Sequence, residues 1–287
     1  MYRQQLQEAT IVEGNHKELR GFLFNIIKQY AELSRKNIEK ILSDANMVEF
    51  KKAFTAPSVN ANYNYEFYEF LGDSTANNCI VWYFQRRFYP KAENVVTAKG
   101  TMMPVAIMSR LKQIGASTRT FSKFSNVLGF LPYISMNSIE YSSPAKILED
   151  VFEAFIGCLV YHCDLIFGLH TGFTVAYPII EKLFNMEEIS LERENLYEAK
   201  SLVNEDITKF PKNTIKFEYQ HIENKDKENK NEKYYSKAVM IELSGNRLIL
   251  QTPQFHGPTK QDNEQRIAKH LLNMNEYKAI KNRYNIQ

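Results

Sequence analysis

Residues 65–88 read YEFYEFLGDSTANNCIVWYFQRRF, and the reading of this stretch decides the fold. Glu66, Glu69 and Asp73 fall at i, i+3 and i+7, so on a helix they share one stripe. Phe70, Leu71, Ile80 and Phe84 lie on or beside that stripe. Three carboxylates thus occupy the positions where an amphipathic helix keeps its core. Like charges at that spacing repel, and burying them unpaired costs several kcal/mol or more. A cationic partner is expected, against the plainer alternative of a solvated acidic edge.

A second acidic segment favours the partner. Residues 145–163, AKILEDVFEAFIGCLVYHC, also have helical pattern. Asp150 and Glu153 lie one turn apart, flanked by Ile147, Ala154 and Gly157, and Glu149 is expected to face water. Two apolar helices with inward carboxylates can cross and enclose an oxygen-rich cage of the kind that hard divalent cations such as magnesium prefer. Two metals about 3.5–4 Å apart would need about this many carboxylates.

Composition narrows the class. Hydrophobic residues make up 44% of 287, enough for a sizeable core. Residues 1–209 carry a net charge of −2 and residues 210–287 a net charge of +5, so an acidic large part precedes a basic small one. That asymmetry suggests catalysis in the first and polyanion capture in the second. Cys79, Cys158 and Cys163 all sit in apolar helical pattern and read as reduced core thiols of a soluble intracellular protein. Cys158 and His162 could share a ligand face, but no further Cys or His stands at ligand spacing. No apolar run reaches membrane-span length, so no membrane partner is expected. A di-iron carboxylate protein is disfavoured, because Glu153 and Glu69 lack the histidine three residues on.

Along the chain, the pattern predicts helices over 17–33 and 36–55, with a break at Ala56-Pro57-Ser58. The acidic helix is expected to end near Tyr89-Pro90, followed by a connector containing Glu93. Helix resumes over 101–128 with a break around Gly115–Ser117, residues 129–143 read as loop, and Pro144 opens the second acidic helix. One more helix covers 168–184, and no strand is expected before residue 186. After a Glu-rich helix over 190–206, TIKFEYQHI, KYYSKAVMIEL and NRLILQT alternate as strands, with ENKDKENKNE as a long charged loop. TPQFHGPTK reads as turn and QDNEQRIAKHLLNM as a closing helix.

Glu-Phe-Leu-Gly-Asp at 69–73 resembles the signature helix of ribonuclease III, and Lys146 to Gly157 resembles the second motif of that family. The α-β-β-β-α tail resembles its double-stranded RNA-binding domain. The resemblance implies a mainly α protein: an N-terminal helical extension over 1–34, an all-helical nuclease domain over 35–186 and a small α+β RNA-binding-like domain over 190–280. It implies that Glu69, Asp73, Asp150 and Glu153 bind metal, with Glu66 a further catalytic acid and Glu93 another. The expected cofactor is Mg2+, with Mn2+ able to substitute. Phe70 matches an aromatic knob of the homodimer interface. The implied activity is hydrolysis of double-stranded RNA to 5′-phosphate and 3′-hydroxyl ends with short 3′ overhangs. The alternative is a non-catalytic duplex-RNA-binding or scaffold protein on the same fold.

The sequence departs from the family pattern in two places. Phe67 and Tyr68 replace the usual Arg and Leu between the signature acids. In the tail the Gly-Pro-x-His loop is missing, and only Lys260 aligns with the basic pair of the last helix, with Arg266 and Lys269 as helpers.

Overall fold

The structure, a computed structural model, describes residues 10–92, 96–97, 100–101, 104–191, 196, 199–224 and 232–286. It divides into two units, Met1–Glu93 with Met103–Ile189, and Asn94–Met102 with Ser190–Gln287. The protein is mainly α, as the periodicity leads one to expect.

The first unit runs β1 (Ile11–Val12), α1 (Leu19–Tyr30), α2 (Arg35–Ile41), α3 (Asp44–Ala53) and α4 (Glu66–Ala92). After a hairpin counted with the second unit, β2 (Val96–Thr97) and β3 (Gly100–Thr101), come α5 (Pro104–Gly115) and α6 (Thr118–Leu128). The unit closes with β4 (Met136–Asn137), α7 (Ser138–Ser142), α8 (Ala145–Phe167) and α9 (Thr171–Phe184). Helix boundaries follow their caps. Ser34, Ser43 and Ser117 each accept a backbone N–H of the first turn, and Asn137 with Glu140 forms a capping box. Ser43 is why the helical pattern over 36–55 resolves into two helices. Gly129, at φ +81°, ends α6 in the left-handed conformation that a side chain would disfavour.

α8 is the central element. Every residue from Ile147 to Val160 is buried, and α2, α3, α4, α6 and α9 pack around it. A helix enclosed on all sides has no solvent face. The expectation that Glu149 faces water is therefore wrong: its carboxylate is buried and pairs with Lys146. α4 crosses α8 at two glycines. A Cβ on Gly72 would collide with the Glu153 carbonyl, and one on Gly157 with the Tyr68 carbonyl. The two backbones touch there, which only glycine permits.

Other details differ from the sequence reading. α4 continues through Pro90 to Ala92, because a proline in the last turns of a helix removes only one donor. Residues 129–143 hold a 3-10 turn (Leu131–Tyr133), β4 and α7 rather than plain loop. β4 pairs antiparallel with β1, so strand does occur before residue 186. Two-residue strands carry too little alternation to be read from sequence.

The second unit continues with α10 (Ala199–Thr208), β5 (Ile215–Glu223), β6 (Tyr234–Glu242), β7 (Arg247–Gln251), β8 (Phe255–Gly257), α11 (Lys260–Asn273) and α12 (Asn275–Arg283). β6 is the central strand: β5 pairs along one side, and β7 and then β8 along the other, all antiparallel. Residues 255–257, read as turn, form this fourth strand. α11 does not close the chain, because α12 follows and contributes Tyr277 and Ile280 to a core with Val203, Phe210, Met240, Leu250 and Leu271. The charged loop ENKDKENKNE and the first part of the Glu-rich helix lie largely outside the described residues, as does Glu93.

Candidate active site

The glycine contact between α4 and α8 brings their acids together. Glu69 from α4 meets Asp150 and Glu153 from α8, each offering a carboxylate oxygen within 4.8 Å of the others. Asp150 and Glu153 are buried, and Glu69 is half-buried. Among the described residues no other group of Cys, His, Asp or Glu is so arranged. Cys158 and His162 thus have no partners for a metal site, and burial raises the Cys158 thiol and lowers the His162 imidazole pKa.

The electrostatics of the three acids are unbalanced. Burial, then the Asp73, Glu149 and Glu69 carboxylates, push Glu153 up to about 8, with Lys146 opposing. Burial, then Asp150, push Glu69 up to about 7, again against Lys146. The site therefore holds more negative charge than its one nearby cation offsets. Lys146 lies 2.6 Å from Asp150 Oδ1 and 3.1 Å from Glu149 Oε2. Burial works against its ammonium, but hydrogen bonds to Asp150 and Glu149 hold its pKa above the ordinary lysine value. On the other side, the Tyr65 hydroxyl donates to Asp150 Oδ2 at 2.9 Å.

The remaining acids stand apart. Asp73 is exposed and outside the three-carboxylate group, its Oδ1 accepting from Asn77 Nδ2 at 2.6 Å. Its charge nonetheless acts on Glu153. Glu66 is exposed in the first turn of α4, where its charge adds to the rise at Glu69. Phe70 points outward, 77% exposed.

In the second unit, Lys260, Arg266 and Lys269 are exposed on α11, but at 100° per residue Lys260 and Lys269 fall on opposite sides of the helix. Arg266 donates to the His256 carbonyl at 2.5 Å and lies over Phe255, and Lys260 lies over Tyr234. The three do not form one basic face.

Sequence reasoning missed Tyr65 and Lys146. Lys146 left a signal, an i, i+4 pairing with Asp150 on a helix. Tyr65 left none, because it precedes α4 and its partner is 85 residues away.

Comparison with known proteins places these features in context. No protein-family model matches the chain. The chain is 31% identical over 184 residues to the Frog virus 3 (isolate Goorha) protein named "Putative ribonuclease 3", covering 63% of this chain and 46% of that protein. It is 28% identical over 186 residues to the protein of the same name from Invertebrate iridescent virus 6, covering 60% and 61%. The matches thus span about half to three-fifths of these relatives' own length. Among solved structures, the nuclease domain of ribonuclease III from Campylobacter jejuni is 26% identical, with a TM-score of 0.39, over 58% of this chain and 97% of that one.

Proposed function

Because the chain belongs to the ribonuclease III family, we propose that it is a divalent-metal-dependent endoribonuclease that hydrolyses both strands of duplex RNA. The observation that carries this reading is the meeting of Glu69, Asp150 and Glu153 at the α4–α8 crossing. The fit to a metal is chemical. The donors are hard carboxylate oxygens, and the raised proton affinities of Glu69 and Glu153 mark a site short of positive charge. Glu69, Asp73, Asp150 and Glu153 are the residues that would hold Mg2+, or Mn2+ in its place. Asp73, whose Oδ1 accepts from Asn77 Nδ2 here, would complete that set.

A metal held by these carboxylates would supply a water of lowered pKa and positive charge to offset the negative charge that builds on the scissile phosphate. The chain's own groups prepare that chemistry. Asp150 is held at both oxygens, by Tyr65 and by Lys146, so it enters the site oriented. Glu69 and Glu153 would have to release their protons to a bound cation, so metal uptake should strengthen as pH rises toward 8. Glu66 at the rim adds negative potential.

The reading extends to a homodimer whose two sites each cut one strand, leaving 5′-phosphate and 3′-hydroxyl ends with short 3′ overhangs. An exposed apolar strip on α4 supports the dimer: Phe70 and Val81 align three turns apart, with Phe67 beside them. The second unit would grip duplex by its A-form shape, with exposed Lys260 at the start of α11 as a phosphate contact, whereas Arg266 and Lys269 stand on other sides of that helix. No helix among the described residues is long and apolar enough to cross a membrane.

The deciding experiment incubates the purified chain with long duplex RNA and magnesium, beside EDTA and calcium controls, and maps the product ends. Magnesium-dependent cutting is expected, and Glu153→Ala should lower single-turnover cleavage at least about a thousandfold, roughly 4 kcal/mol of barrier. Intact RNA in magnesium, or near-normal cutting by the variant, defeats the reading. Sedimentation checks the dimer, and a monomer at micromolar concentration argues against it.

A further inference from the structure

We infer that Tyr65 is a positioning residue for the metal site, a neutral donor that orients Asp150 from outside the set of ligands. The inference rests on the proposed metal-dependent reading of the acid cluster and deepens it. Tyr65 is 6% exposed, and its hydroxyl donates to Asp150 Oδ2 at 2.9 Å. Its backbone is fixed independently of that bond. The Tyr65 N–H donates to the Thr55 carbonyl at 3.0 Å, and its carbonyl accepts the Glu69 N–H at 2.9 Å, opening α4. The residue thus begins one of the two acidic helices and reaches across to the other.

The chemistry suits the place. Asp150 lies among Glu69, Glu149 and Glu153, so its carboxylate needs hydrogen bonds to stay oriented. A lysine there supplies charge, and Lys146 does so at Oδ1. A second cation on Oδ2 would compete with a metal ion for the same negative potential. A phenol supplies a directed hydrogen bond without charge, and with an ordinary pKa of about 10 it is a donor at neutral pH. Groups of this kind, bonded to a metal ligand from behind, set ligand orientation and typically change metal affinity by about 10–100-fold when removed.

The test is Mn2+ binding by calorimetry to the full chain, without RNA. Tyr65→Phe is expected to weaken Mn2+ binding about tenfold. Cleavage of duplex RNA should then need proportionally more magnesium, with the rate at saturating metal within about threefold of the original. In an Asp150→Asn background the same Tyr65→Phe change should alter Mn2+ affinity little, because the carboxylate it orients is gone. Affinity within twofold of the unaltered chain, or an equal loss in both backgrounds, overturns the inference. A thermal melt of metal-free Tyr65→Phe distinguishes an unfolded variant, for which the smaller change Tyr65→3-fluorotyrosine, a stronger donor, should tighten Mn2+ binding. Looser or unchanged binding there also overturns it. Failure of the unaltered chain to bind Mn2+ would instead sink the metal reading itself.

Discussion

The two units bury charge in opposite ways. Between α4 and α8, Glu69, Glu149, Asp150 and Glu153 cluster around one cation, Lys146. Among the described residues of the second unit, the buried Asp206 and the part-buried Glu264 each have a counterpart. Asp206, 2% exposed, lies 2.5 Å from Lys281 Nζ and accepts weakly from the Tyr277 hydroxyl. Glu264 bonds Lys200 and lies 3.0 Å from His221 Nε2, whose other ring nitrogen meets Ser236 Oγ at 2.9 Å. Balanced polar networks of this kind tie helix to helix and sheet to helix and are part of the fold. Surplus charge of one sign destabilises the fold, and on the metal-dependent reading proposed above a bound cation would offset it. The contrast is a physical ground, independent of relatives, for the proposal that the first cluster is functional and the second structural.

Removing an acid should therefore act in opposite directions in the two places. The largest effect is expected in the balanced one. Asp206→Ala strands the mostly buried Lys281 ammonium and should cost about 3 kcal/mol, read as an earlier urea midpoint for the second unit. A loss below about 0.5 kcal/mol would mean that this pair is ornamental and the contrast false. In the unbalanced cluster, Glu153→Gln should stabilise the metal-free protein by about 1 kcal/mol while abolishing cleavage. Destabilisation of similar size would show that the acids are mutually supportive in the absence of metal.

The smallest expected effect is a pH slope, and its sign follows from proton counting. Folded, metal-free chain holds protons on Glu153 up to about 8 and on Glu69 up to about 7, against 4.5 for an ordinary glutamate. Between about pH 4.5 and 8 the folded state binds more protons than the unfolded state, so stability falls as pH rises through that window. Melting temperatures across the window should decline in EDTA, and the decline should flatten in Glu153→Gln. A rising trend from this site would contradict the raised proton affinities.

Much of this was legible beforehand. The i, i+3, i+7 acids of α4 and the Asp150–Glu153 pair of α8 stand on helices, and on a helix spacing alone fixes which side chains share a face. The strands of the second unit announced themselves by alternation. Less legible were α12 and β8, whose short, polar segments are held by packing against a core rather than by their own pattern.

By itself the chain determined which residues could meet: two helices, each carrying acids on a face that also carries its apolar residues, and a glycine in each. Only tertiary structure decided which did meet. Glu149 went inward because α8 is enclosed on all sides, Asp73 turned to Asn77, and Tyr65 reached Asp150 from another part of the chain. Periodicity describes one helix against a generic core. Orientation within a charge cluster depends on which neighbours crowd it and where the nearest donors lie, and those neighbours come from distant sequence.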